Sequence, residues 1–320
     1  MCIRDRQREF SGNSFHLHTY MGVYEIRDRD EAVSIMVDKA NIAADTIKNN
    51  YDCCVAYYDE HLLEISIEQR RLLGEFEPAL QNDEFVMYLQ PQVKRDGAAK
   101  GAEALVRWVH PSRGILTPYA FIDILENAGL IYKLDLYIWE KAAQKLAEWK
   151  EKGYGSYHIS VNISTKDFYI IDIYETFTGL INKYGIAASN LHLEITETTL
   201  MTDFEKNMNI IHKLQGVGFR VEIDDFGSGY SSLNMLKDIS ADVLKIDMGF
   251  LRKSENEVKG QDILESIITL AGKIGMDVIT EGVETKKQLD MLTMMGCHEF
   301  QGYYFSKPVP VSEFEEKYLV

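Results

Sequence analysis

From Phe85 to the C-terminus, short β-rich runs alternate with longer amphipathic stretches, the pattern of repeated βα units. The spacing predicts eight strands: Phe85 to Gln90, Ala102 to Trp108, His158 to Asn162, Leu191 to Ile195, Arg220 to Ile223, Val243 to Ile246, Asp277 to Thr280 and His298 to Gln301. Helical periodicity fills the gaps in PYAFIDILENAGLI, YIWEKAAQKLAEWKEKG, IDIYETFTGLINKYG, FEKNMNIIHKLQGVG, DILESIITLAGKIG and TKKQLDMLTMMG. Several of these end in Gly, as C-capped helices often do. Eight such units over residues 83–320 match the ~250 residues of a (β/α)8 TIM-type barrel, an α/β fold.

Ahead of the barrel, residues 1–60 read as a strand from Phe15 to Ile26, a helix from Asp30 to Lys48 and a short strand from Val55 to Tyr58, a partial α+β segment. Residues 61–82, with HLLEISIEQRRLLGEFEPAL, have helical periodicity and are expected to form a stiff linker helix.

Strand side chains alternate between faces, so the barrel strands sort their own polar residues. Glu103, Leu105 and Arg107 share one face, and His158, Ser160 and Asn162 another, opposite Ile159, Val161 and Ile163. The apolar sets are expected to face the helices and the polar sets the lumen, near the rim where barrel enzymes hold their chemistry. Glu103 lies close to the start of its run, the exception in position among these residues.

Glu103, Asn162, Glu194 and Asp224 supply hard oxygen ligands from four strands, and Asp225 and Glu281 add two carboxylates. No His or Cys joins this set, which favours Mg²⁺ or Mn²⁺ over Zn²⁺. Six ligands exceed the needs of one Mg²⁺ ion, so two ions per site sharing Asp224 are expected, ~3.5–4 Å apart, a spacing suited to in-line displacement at phosphorus. Lys245 points to the same rim and suits neutralising transition-state charge; Arg107 suits either a phosphate clamp or a plain ion pair. Adjacent Asp224 and Asp225 reach the same ions only if their strand ends there, as Gly227 and Gly229 suggest, and FGSGYSSL then reads as a loop over the site.

Composition narrows the ligand. A formal charge of -16 excludes a broad basic groove for DNA or RNA but leaves a small anion, held locally by metal ions, Arg107 and Lys245. No apolar stretch approaches the ~20 residues that cross a bilayer, and MCIRDRQREF carries no apolar signal core. The expectation is a soluble cytoplasmic protein, or the cytoplasmic portion of a longer, possibly membrane-anchored one with a sensor upstream. Cys2, Cys53, Cys54 and Cys297 lack CxxC spacing and are expected as reduced thiols.

The stretches LQPQV, GAEALVRWVHPSRGILTP, AFIDILENAGLI, VNIS, LEITET, DDFGSGYSSL, LKID, EGVET and QGYYFSKP closely resemble the EAL-domain cyclic di-GMP phosphodiesterases of bacteria. That resemblance implies a barrel with one irregular, antiparallel strand and hydrolysis of cyclic di-GMP to linear 5′-pGpG. It implies that Glu103, Asn162, Glu194 and Asp224 hold one metal, and Asp224, Asp225 and Glu281 the second. Lys245 matches the lysine that contacts the nucleophilic water; with Glu103, Asp225 and Glu281 it forms the implied catalytic set. Gln90 and Arg107 match substrate contacts, and Gln301 a polar residue near the metals. Glu197 matches the glutamate that holds the loop of Phe226, Gly227, Ser228 and Gly229, which couples homodimerisation through the barrel to activity.

Two residues depart from the family's pattern: Thr280, where alanine is usual, and Glu222, which shares Asp224's face and brings negative charge toward the metals. Residues 1–60 resemble the closing portion of a GGDEF domain, in GVYEI and VAYYDE, but lack the GGDEF signature, which implies no cyclase activity. Two readings compete with the phosphodiesterase. One is a non-catalytic cyclic di-GMP receptor or regulatory module. The other is an enolase-type barrel, whose basic pair across the lumen is not evident.

Overall fold

A computed structural model describes residues 7–10, 13–16, 19–48, 54–226, 239–247, 249 and 257–319. The chain divides into two compact units, residues 1–77 and 78–320. In the first, β1 (Gln7–Phe10) and β2 (Asn13–His16) form an antiparallel pair. β3 (Met21–Val23) and β4 (Val55–Tyr57) pair in parallel around the helix Val33–Asp45. The single strand expected from Phe15 to Ile26 is therefore two short ones. A 22-residue helix, Glu60–Gln81, occupies the stretch where the linker helix is expected.

The second unit is a closed barrel of eight strands. These are β5 (Phe85–Lys94), β6 (Ala99–His110), β8 (His158–Ile163), β9 (Leu191–Thr196), β10 (Arg220–Phe226), β11 (Val243–Asp247), β12 (Asp277–Glu281) and β13 (Glu299–Phe300). β7 (Gly114–Leu116) extends β6, and β14 (Val309–Pro310) extends β5. From β6 to β13 neighbouring barrel strands run parallel, whereas β5 runs antiparallel to both β6 and β13 and closes the ring.

The first of the eight expected units departs from the βα pattern, and its strand β5 is the irregular, antiparallel one that the resemblance implies. β5 and β6 are joined by a hairpin without a helix, turning at Asp96 and Gly97, where Gly97 has φ +85° and Lys94 N donates to Ala98 O at 2.9 Å. An Asp-Gly pair between two β-rich runs is a hairpin signal in its own right. Later units follow the expected plan. Asp172 caps the helix Ile173–Tyr184, its carboxylate accepting from Glu175 N at 3.0 Å, and Gly185 ends it at φ +62°. Thr285 and Gln288 form a capping box on the helix Lys286–Met294. The two helical stretches expected over residues 118–131 and 137–153 are the helices Ile122–Ala128, ended by Gly129 at φ +69°, and Ile131–Glu151, which starts six residues earlier than expected.

Alternation in the strands sorts core from lumen as expected. Ile159, Val161, Leu191, Leu193, Ile195, Val221, Ile223, Leu244 and Ile246 are buried. The opposite faces carry Ser160, His192, Glu194, Glu222 and Lys245, each buried as well. Polar groups at that depth must find partners inside the barrel, because an unpaired buried charge is costly.

Candidate active site

The rim at the carboxyl ends of the parallel strands gathers the expected residues. Glu103 lies in the middle of β6, not near its start, and opposite Ser160 of β8; beyond it β6 leaves the parallel ring and continues against β5 and β7. Its position is thus the last parallel rung, the right height for the rim. Asn162 and Glu194 sit opposite each other on β8 and β9. The Trp139 indole fixes the end of β8 by donating to Asn162 O at 2.9 Å.

Lys245, fully buried, stands at the centre. Its Nζ lies 2.7 Å from Glu281 Oε1, 2.9 Å from Glu194 Oε2, 3.4 Å from Asp224 Oδ1 and 3.5 Å from Glu103 Oε2. These are ion-pair contacts without the alignment of hydrogen bonds. Glu103 is held from two sides: Asn162 Nδ2 donates to its Oε1 at 3.1 Å, and Gln301 Nε2 to its Oε2 at 2.5 Å. Gln301 Nε2 also donates to Gln90 Oε1 at 3.3 Å, which joins the first strand to the cluster. The half-buried Arg107 guanidinium lies 5.5 Å from the Tyr88 ring centre and donates to Val106 O at 2.8 Å. Among the described residues no carboxylate pairs with it, so the plain ion pair is not formed.

Asp224 and Asp225 share the rim through a backbone irregularity. Pairing of β10 with β11 shifts register between Ile223 and Phe226, and Asp225 takes φ +56°, in the left-handed region. Asp tolerates that conformation better than most residues, although it costs more than in Gly. The bulge exposes Asp225 and returns Phe226 to the core, where it pairs with Ile246. Phe226 is a strand residue; Gly227, Ser228 and Gly229, with the rest of that loop, lie outside the described residues. Glu197 begins the helix Glu197–Thr202 directly after β9, with the Thr196 side chain accepting from Thr199 N at 3.3 Å.

Five carboxylates (Glu103, Glu194, Asp224, Asp225, Glu281) against one ammonium would leave four surplus negative charges if all were ionised. The titration behaviour follows. Burial first, and then Glu103, push Glu194 well above the ordinary carboxylate range. Burial outweighs the help of Lys245 and raises Glu281 to about 8. Burial and Asp224 raise Asp225. Burial alone would lower Lys245, but Asp224, Glu103, Glu194 and Glu281 outweigh it and hold the ammonium well above its usual value. The surrounding carboxylates thus favour the charged form of Lys245. Glu194 Oε1 and Oε2, Asp224 Oδ1, Glu281 Oε1 and Gln301 Oε1 are buried without hydrogen-bond partners. Unsatisfied oxygens in a site with surplus negative charge fit hard divalent cations.

A pH prediction follows for the metal-free protein. Glu194 and Glu281 take up protons on folding, since their folded pKa values exceed those of an unfolded chain. Stability should fall as pH rises from about 4.5 through about 8. Thermal unfolding in chelator should show Tm dropping across that window, and saturating Mg²⁺ should remove the drop; a flat profile in chelator would contradict the electrostatics described.

Glu222 does share the face of Asp224, but one layer lower, directly opposite Glu194. His192 Nδ1 donates to its Oε1 at 2.6 Å and Ser160 Oγ at 3.3 Å. Burial alone would raise its pKa, yet the His192 hydrogen bond and the positive charge nearby bring it to about 2. Its charge is thus engaged below the rim. Thr280, next to Glu281 on β12, is buried, with its hydroxyl 3.5 Å from the free thiol of Cys297.

The chain belongs to the EAL domain family, whose pattern matches residues 74–308. It is 32% identical over 272 residues to the bifunctional diguanylate cyclase/cyclic di-GMP phosphodiesterase MucR of Pseudomonas aeruginosa, covering 85% of this chain and 39% of that one. To the cyclic di-GMP phosphodiesterase PdeR of Escherichia coli it is 33% identical, over 75% of this chain and 36% of that one. The solved PaMucR phosphodiesterase in its c-di-GMP complex matches with a TM-score of 0.72 at 33% identity, covering 76% of this chain and 99% of that one. An EAL domain protein of Listeria monocytogenes matches at 0.64 and 29% identity, over 77% and 97% of the two chains. The chain spans 31% to 45% of the length of the curated relatives named among its matches.

Proposed function

We propose that the barrel hydrolyses cyclic di-GMP to linear 5′-pGpG with two Mg²⁺ or Mn²⁺ ions at its rim. The observation that carries this reading is the convergence of Glu103, Glu194, Asp224 and Glu281 on Lys245, with Glu194 Oε1 buried without a hydrogen bond or a Lys245 contact. Glu103, Asn162, Glu194 and Asp224 would hold one ion; Asp224, Asp225 and Glu281 the other. Such ions, when bound, supply Lewis-acid activation of water and neutralise phosphate charge.

The chain's own residues do the rest. Water adds to one phosphorus as the P–O3′ bond breaks, leaving a 5′-phosphate on one guanosine and a 3′-hydroxyl on the other. Lys245, kept protonated by its carboxylate ring, holds positive charge where negative charge develops. Asn162 and Gln301 fix the Glu103 carboxylate, so its orientation does not depend on substrate. Arg107, with no carboxylate partner among the described residues and with the Tyr88 ring 5.5 Å away, would receive a phosphate oxygen, and Gln90, joined to the cluster through Gln301, would contact the substrate.

Among the described residues no helix is long and apolar enough to cross a membrane. We assign the working form to a homodimer through the barrel, with Glu197 and the loop after Asp225 coupling the two sites, and residues 1–60 to a GGDEF-like remnant. Purified protein with Mn²⁺ should convert cyclic di-GMP to pGpG, read by liquid chromatography, and chelator should stop it. Binding of cyclic di-GMP without any product, with either ion supplied, would favour the receptor reading instead.

A further inference from the structure

Beneath the rim, at the amino-terminal mouth of the barrel, lies a second polar cluster that the chemistry above does not use. His158 opens β8, His192 lies near the start of β9, and Glu222 is two residues into β10. All three are buried, and one ligand atom from each lies within 4.8 Å of the others. The two imidazoles stack, ring centres 3.8 Å apart and 4° from parallel. They line a cavity of about 460 Å³ with Glu222, Lys100, Tyr157 and Arg220. Gly101 of β6 packs against this pair: a Cβ there would come within 2.5 Å of the His158 ring. The bare backbone at that position is what leaves room for the imidazole.

Hydrogen bonding does not exhaust the cluster. His158 Nε2 meets Gln92 Oε1 at 2.7 Å, and His192 Nδ1 meets Glu222 Oε1 at 2.6 Å. Yet Glu222 Oε2 and Gln92 Nε2 are both buried with no partner. An orphaned oxygen on a fully buried carboxylate is costly, and an added cation would satisfy it. Burial, and next the neighbouring His192, hold the His158 imidazole well below its usual pKa, so it is neutral, the form in which histidine binds metal.

We propose that His158, His192 and Glu222 form a site for a Zn²⁺-class transition-metal ion, distinct from the oxygen-rich rim. Two imidazole nitrogens and one carboxylate are a donor set that suits Zn²⁺, with a fourth position open to water from the cavity; the rim, all oxygen, suits Mg²⁺ or Mn²⁺. Holding the ion would require the three side chains to turn from the stacked arrangement until their ligand atoms, within 4.8 Å of one another, reach the roughly 3.4 Å separations that ~2.1 Å bonds in a tetrahedral site require. The ion would clamp β8, β9 and β10 together, four residues below Asn162 and two below Glu194 and Asp224 on the same strands. It would hold those three rim side chains at a fixed height without touching the substrate.

Zn²⁺ titration of the chelator-stripped full chain tests this, in competition with a chromophoric chelator and with saturating Mg²⁺ present to fill the rim. The unchanged protein and Asp224→Asn should each bind one equivalent of Zn²⁺. His192→Ala and Glu222→Gln should bind it at least ~100-fold more weakly, since losing a ligand costs more than losing a residue that merely supports one. Glu222→Gln keeps the shape of the side chain, and far-UV circular dichroism checks that both variants fold. Co²⁺ in place of Zn²⁺ should give visible absorption that disappears in the same two variants. Equal Zn²⁺ affinity in all four proteins, no Zn²⁺ bound at all, or loss in Asp224→Asn alone would overturn the proposal.

Discussion

Alanine at Glu103 should lower kcat for cyclic di-GMP by about a thousandfold or more, at the upper end of what losing one electrostatic contact costs an enzyme. The carboxylate meets Asn162, Gln301 and Lys245 at once, so its removal frees three partners that otherwise define the rim. Far-UV circular dichroism should be unchanged, because the surrounding core of β6 and its neighbours is apolar on the other face. Glu103→Gln separates the causes. It keeps a side chain able to hydrogen-bond but lacks the charge, and it should lose activity nearly as fully. Retained turnover in either variant would remove Glu103 from the ligand set.

Lys245→Met is expected to act on stability and on catalysis in opposite relation to metal. In the metal-free protein it leaves four carboxylates around a neutral side chain, and breaking a buried ion pair costs about 3–5 kcal/mol. A lower Tm in chelator should result. Divalent ions should restore more stability to this variant than to the unchanged protein, since they no longer share the pocket with an ammonium. Turnover should still fall about 10²–10³-fold even with metal saturating, because the fixed positive charge beside the reacting phosphate is gone. An unchanged Tm in chelator together with unchanged kcat would mean that Lys245 neither balances the acids nor serves the reaction.

Much of the site was legible in the sequence because strand alternation is rigid. In LHLEIT and VEIDD, period two places Glu194 and Asp224 in the lumen once the apolar residues are assigned outward. The same rule puts His192 beside Glu194 and Glu222 beside Asp224, but joining them with His158 requires the register between strands, which one chain's periodicity does not contain. An antiparallel strand was implied by the family resemblance, but periodicity alone did not show which strand it was. β-richness marks a strand but not its direction; the Asp96-Gly97 turn carried that information. Asp225 posed a local contradiction, since alternation turns it away from Asp224. A register shift and a left-handed backbone resolve it, a feature set by tertiary pairing with β11.

Electron paramagnetic resonance of the chelator-stripped protein, titrated with Mn²⁺, tests the paired-ion rim most directly. The account predicts an exchange-coupled dimanganese spectrum that is complete at two equivalents per chain, as expected for ions ~3.5–4 Å apart, and absent in Asp224→Asn. Isolated six-line Mn²⁺ signals at every ratio, or a coupled spectrum that survives Asp224→Asn, would contradict it.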